Sequence, residues 1–116
     1  MFEAQLLLGS PGFTGITVVF GPWLSRKADN MLATLDVAAL SDGADLVIKL
    51  WHKNRDDVGN GSVHSAFSPR TSTGRISKEF LGLKELVRYE FQVGTGPSEW
   101  VLFRMLDIVW FDTLGA

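Results

Sequence analysis

The sequence predicts an all-β chain, an antiparallel two-sheet β-sandwich of about eight strands, with a jelly roll as one form that class allows. Three observations predict it. Several segments alternate apolar and polar residues with period two. The breaks between them are rich in Gly, Pro, Ser, Asn and Asp, which is turn chemistry. A helical period fits these segments badly, because charged residues would fall inside any 3.6-residue apolar stripe.

Taken in order, the first strand is expected over about 2–8, carrying Leu6, Leu7 and Leu8 and ending at Gly9-Ser10-Pro11-Gly12. The second is expected over about 14–20, with Ile16, Val18 and Phe20 on one face and Thr17 and Val19 on the other. Segment 31–40 has two readings. Ala and Leu favour a helix, and Asp29 or Asn30 could cap it. Alternation also works, with Met31, Ala33, Leu35, Val37 and Ala39 on one face. The strand is preferred, because Ser41-Asp42-Gly43 before segment 44–53 reads as the tight turn of a hairpin. In 44–53, Leu46, Ile48 and Leu50 oppose Val47, Lys49, Trp51 and Lys53.

Residues 54–62 are a polar loop, followed by a strand over about 63–67, a Ser/Thr/Pro-rich turn over 68–74 and a strand over about 75–80. Segment 81–86 reads as a connector with room for one helical turn. The clearest strand is 86–93, where Val87, Tyr89, Phe91 and Val93 alternate with Arg88, Glu90 and Gln92. It closes at Gly94–Ser98, and the last strand runs over about 99–111 with a bend or split near Asp107. Phe20, Phe67, Phe91 and Phe103 fall on the faces assigned to the core.

At 116 residues the chain is expected to be a single domain spanning 1–116, large enough for its own core. It has no Cys, so disulfides, thiolate metal sites and cysteine nucleophiles are excluded. The balance of 11 basic against 13 acidic residues lacks the basic excess of a phosphate-binding domain, so no nucleic-acid partner is expected. No apolar run reaches the roughly 20 residues of a membrane helix, so no membrane partner is expected. No basic segment precedes Leu6-Leu7-Leu8, so synthesis in the cytoplasm without a signal peptide is expected.

Catalytic and metal chemistry finds little support. His52 and His64 flank a loop holding Asp56, Asp57 and Ser62, but no nucleophile elbow is present and these residues read as turn formers. The loop resembles a calcium loop at Asn54, Asp56 and Gly59, yet position twelve is Ser65 where a bidentate Glu is needed. A looser site at Asp56, Asp57 and Asn60 competes with a plain solvated loop. Gly59-Asn60-Gly61 and Gly94-Thr95-Gly96 lack the helix start of a phosphate-binding loop. The expectation is no catalytic residue, no metal and no cofactor.

What stands out is aromatic. Trp51 lies opposite the apolar face of its strand, between Lys49 and Lys53. On the last strand, Val101, Phe103, Met105 and Val109 make one face, while Trp100, Leu102, Leu106, Ile108 and Trp110 make the other, with Arg104 among them. Sandwich strands normally keep one polar face. The candidate interface or ligand-binding residues are therefore Trp51, Trp100, Leu102, Arg104, Leu106 and Trp110. They predict a non-catalytic structural or assembly module whose partner is another protein or a second copy of the chain. A capsid-decoration or tail type subunit carried in a virion is the instance that such an architecture suggests. The competing expectation is a carbohydrate-binding module in which exposed Trp51, Trp100 or Trp23 stacks on a glycan.

Overall fold

Alternation sends every second side chain to one side of a strand, so each apolar series needs a second sheet to bury it. The computed structural model describes residues 5–8, 17–94 and 99–113, leaving aside the side chains of 5–8 and Thr17. It shows ten strand segments: β1 (Gln5–Leu8), β2 (Thr17–Phe20), β3 (Leu24–Ser25), β4 (Asn30–Leu40), β5 (Asp45–Lys53), β6 (Ser62–Ala66), β7 (Gly74–Phe80), β8 (Leu86–Gly94), β9 (Val101–Met105) and β10 (Val109–Phe111). All pairings are antiparallel. Among the described residues there is no helix, and segment 31–40 is strand.

The segments form two packed sheets. Sheet I has the order β1-β9-β4-β7, with β10 continuing beside β4 beyond β9. Sheet II has the order β2-β8-β5-β6, with β3 continuing beside β8 beyond β2. Each sheet is thus four strands wide. The first strand pairs with the last, the second with the seventh, the third with the sixth and the fourth with the fifth, counting β2 with β3 and β9 with β10 as single strands. That nested pairing is a jelly-roll wrap.

The wrap corrects the hairpin expected at Ser41-Asp42-Gly43. The turn forms, with Ala44 N–H donating to the Ser41 carbonyl at 3.1 Å and Gly43 at φ 81°. However, β4 belongs to sheet I and β5 to sheet II, so the turn carries the chain across the core. The hairpin of consecutive strands is β5–β6 instead. A Cβ at Gly61 would collide with the His52 carbonyl oxygen, and its φ of 74° suits glycine.

The core is filled from both sheets. Met31, Ala33, Leu35, Val37, Val101, Phe103 and Met105 come from sheet I, and Leu46, Ile48, Leu50, Val87, Tyr89, Phe91 and Val93 from sheet II. Phe91 and Phe103 meet across the interface with ring centroids 5.3 Å apart. Phe67 and Phe80 close one end at 5.7 Å.

Three face assignments change. A bulge opposite β9 between Val37 and Ala39 shifts the register, so Ala39 pairs with Leu102 on the outer face and Leu40 packs on the core. The last strand breaks at 106–108, which swaps its faces. Ile108 and Trp110 therefore pack on the core, and Val109 is 56% exposed rather than inner. Phe20 pairs with Glu90 on the outer face of sheet II and is 44% exposed rather than core.

Segment 81–85 makes no helical turn. It crosses from sheet I to sheet II, and its backbone is held by other elements. Leu83 N–H donates to the Asp29 carbonyl, Gly82 N–H to the Asn30 side chain, and the Arg26 guanidinium to the Leu83 carbonyl.

Candidate functional site

On β8 the inner residues Val87, Tyr89 and Phe91 force Arg88, Glu90 and Gln92 to the outside. Pairing then decides what stands beside them. Val18 lies opposite Gln92, Phe20 opposite Glu90, Trp51 opposite Arg88, and Val63 opposite Trp51. The result is an apolar and cationic platform on the outer face of sheet II. Val18, Phe20 and Val63 are 46%, 44% and 43% exposed.

Trp51 is half-buried within this platform. Its Nε1–H donates to Glu90 Oε1 at 2.7 Å, across the diagonal of the β5–β8 pair. That bond satisfies a carboxylate only 7% exposed. Phe20 meets Trp51 edge-on at 6.0 Å. The Arg88 guanidinium lies 4.3 Å from the Phe20 ring centre and 4.5 Å from that of Trp23, and Lys53 Nζ lies 4.8 Å from Trp23. Cation–π attraction thus fixes both rings. Lys53 also donates to the Gly59 carbonyl at 2.9 Å.

The remaining candidates lie elsewhere. Trp100 is half-buried at the β4–β5 turn, where its N–H donates to Ser41 Oγ and its carbonyl accepts from Ser41 N–H. Leu102 is half-buried on the outer face of sheet I. Arg104 Nε donates to Asp36 Oδ2 at 3.2 Å, and Arg75 reaches the same oxygen at 3.6 Å. Leu106 sits at the strand break, its N–H bonded to the Thr34 carbonyl. Trp110 packs on the core and lines a groove with Leu24, Ser25, Lys27, Asp107 and Ile108. The structure does not bring these five together with Trp51. Phe20, Trp23, Arg88 and Glu90 complete the Trp51 platform, and sequence reasoning assigned Phe20 inward because both faces of its strand are apolar.

The two histidines do meet. Their rings are 5.0 Å apart, and His64 also stacks edge-on against Phe80 at 5.8 Å. His64 Nε2 contacts the Leu81 carbonyl at 2.6 Å, and a carbonyl only accepts, so Nε2 carries the hydrogen. Nδ1 then accepts from the Ser65 hydroxyl at 2.8 Å. His52 Nδ1 accepts from Lys84 N–H at 3.2 Å. Burial lowers the His52 pKa, and His64 and Lys84 add to the shift. The pair thus pins the 81–85 connector, and three of its four ring nitrogens are occupied. Among the described residues no group of three His, Asp or Glu side chains could hold a metal ion.

The 54–62 loop is built as a turn. Asp57 Oδ2 accepts from Asn54 N–H at 2.8 Å, and Asp57 N–H donates to the Asn54 carbonyl at 3.1 Å. Arg55 anchors it, with N–H bonded to Glu85 Oε1 and the guanidinium to Ser25 Oγ. Among the described residues no helix is long and apolar enough to cross a membrane. Comparison with family models, with curated proteins and with solved structures returned no match for this chain.

Proposed function

We propose that the protein is a non-catalytic structural or assembly module acting through protein–protein contacts, with the outer face of sheet II as its contact surface. The observation that supports this is the exposed apolar group Val18, Phe20 and Val63 set around a rigid Trp51 and Arg88. Aromatic and Arg side chains held in place lose little entropy on docking, which is the character of an interface hot spot. The finer reading, a decoration or tail subunit of a virus particle, rests on the jelly-roll wrap alone. Capsid proteins share that architecture with lectins and cupins.

The glycan alternative draws less support. Sugar stacking requires a bare aromatic face, whereas the Trp23 ring already carries Arg88 and Lys53 and the Phe20 ring carries Arg88.

The test is a photo-cross-linking residue in place of Phe20, with one in place of Ser77 on the outer face of sheet I as control, in cells that produce the protein. A discrete higher-mass protein adduct from position 20 and none from position 77 is expected. Light scattering of the purified chain tells whether the partner is a second copy. A protein that gives no adduct and stays monomeric at micromolar concentration overturns the assembly reading.

A further inference from the structure

Among the described residues, Arg88 is an arginine without a protein acceptor. Its guanidinium lies 4.3 and 4.5 Å from the ring centres of Phe20 and Trp23, and its Nε is shut off from solvent with no hydrogen-bond partner among the described residues. Elsewhere arginines are paired: Arg75 and Arg104 share Asp36, Arg26 bonds Asp29, and Arg55 donates to Ser25 Oγ. Arg70 also has an orphan Nε, but no cation–π contact to it occurs among the described residues. The natural carboxylate for Arg88 would be Glu90, two residues along the same face, and Glu90 is committed to Trp51. Lys49, on the same face, has no ion-pair partner among the described residues. The aromatic end of the platform therefore carries Lys49, Lys53 and Arg88 against Glu90, which lies opposite Lys49 and is bonded to Trp51, while Asp45 stands on the same face two positions beyond Val47 at the far end of β5.

We propose that this face docks an acidic segment of a different protein, with a carboxylate seated on Arg88 and apolar side chains on Val18, Phe20 and Val63. The proposal deepens the assembly reading above and rests on it. A planar guanidinium presents paired N–H donors that match a carboxylate. Contact with two rings holds the guanidinium in place before the partner arrives, which lowers the ordering cost of the contact. A second copy meeting the face symmetrically would oppose the same three cations, which disfavours self-pairing here. A single-stranded nucleic acid stacks its bases on bare ring faces, whereas Arg88 already lies against Phe20, and Arg88 and Lys53 against Trp23. The valines also offer nothing to phosphates.

Tryptophan fluorescence of the full chain reads the site directly, since Trp51 and Trp23 lie in it. The probes are extended synthetic peptides alternating Glu with Leu, the same peptides with Gln for Glu, and an oligothymidylate. Saturable binding of the Glu peptides is expected, weakened by added salt. Arg88→Ala should weaken it by about thirtyfold, the scale of a hot spot. Arg88→Lys should also weaken it, because it keeps the charge and loses the fork. Arg75→Ala, on the other sheet, should leave it unchanged. Arg88→Lys and Lys49→Gln keep the test open should Arg88→Ala fold poorly. Equal binding of the Gln peptides, or binding indifferent to Arg88, overturns the carboxylate assignment, and a position-20 cross-link would still uphold the assembly reading. Preference for the oligothymidylate, or no binding of any probe, also overturns it.

Discussion

The two sheets share one core but have unlike outer faces. On sheet I, Asp36 sits between Arg75 and Arg104, and Thr34 bonds Ser77 across the β4–β7 pair at 2.8 Å. These charges and hydroxyls satisfy one another, although half-buried Leu102 and 56%-exposed Val109 share the outer side of that sheet. On sheet II, exposed Val18, Phe20 and Val63 surround a Trp and an Arg. There the polar groups fix aromatic rings, and Arg88 has no acceptor among the described residues. The contrast shows that a sandwich can keep two polar-patterned strand sets and still leave one face unfinished. What decides it is which residues pairing brings side by side, more than how many apolar residues the chain holds.

Substitutions can break that contrast, beginning with the most costly. Trp51→Ala removes a half-buried indole and strands the Glu90 carboxylate, so a loss of about 3–4 kcal/mol in denaturant unfolding is expected. Trp51→Phe keeps a ring but loses the N–H, and should cost about 1–2 kcal/mol. If the two variants cost the same, the hydrogen bond contributes nothing and the platform is held by packing alone. On sheet I the corresponding change is milder. Asp36→Ala deletes two partly exposed ion pairs and should cost about 0.5–1 kcal/mol, fading in high salt. A cost equal to that of Trp51→Ala would erase the distinction between the faces.

Acid acts at the connector that joins the sheets. The folded His52 has a pKa below the ordinary imidazole value of about 6.5, mainly because burial disfavours its charged form. The folded state therefore favours neutral His52. The stability this contributes is present in full above pH 6.5 and is lost as pH falls through the lowered value. Protonation at Nδ1 also removes the acceptor for Lys84 N–H. Melting temperature should fall between pH 7 and pH 5, and His52→Gln should flatten that slope. An unchanged slope would mean that another group dominates acid sensitivity.

Much of the architecture was legible. Period-two alternation located β5 and β8, because one buried face leaves a mark on every second residue, whereas β4 is also compatible with a helix and reads as strand only with the help of a hairpin that does not form. Strand order was not legible. The Asp42-Gly43 turn has the same local chemistry whether the chain folds back or crosses the core, so sequence alone does not separate a hairpin from a crossover. The platform was half legible. Trp51 stood out as an aromatic between lysines, and the outward positions of Arg88 and Glu90 follow from the alternation of β8. The outward position of Phe20 is hidden in the sequence because both Val18 and Phe20 on one side of β2 and Val19 on the other are apolar. Only its pairing with Glu90 tells which side is outward. The apparent excess of apolar residues on the last strand dissolved for the same kind of reason. The break after Met105 turns Ile108 and Trp110 inward.

The gentlest perturbation gives the sharpest separation of folding from contact. Val63 is 43% exposed on β6, opposite Trp51, so Val63→Ser removes apolar surface much of which faces solvent in the folded chain. Unfolding should change by no more than about 0.5 kcal/mol, as for surface positions generally. The cross-link yield from position 20, by contrast, should drop several-fold, since a docking partner would lose the apolar floor beside Trp51. A matched change on sheet I, Ser77→Ala, loses a hydroxyl pair with Thr34 and should leave the yield untouched. Should Val63→Ser destabilise the chain by as much as Trp51→Phe, Val63 belongs to the fold and the contact surface must be drawn around Val18 and Phe20 instead. Equal cross-linking from both variants would mean that β6 takes no part in docking.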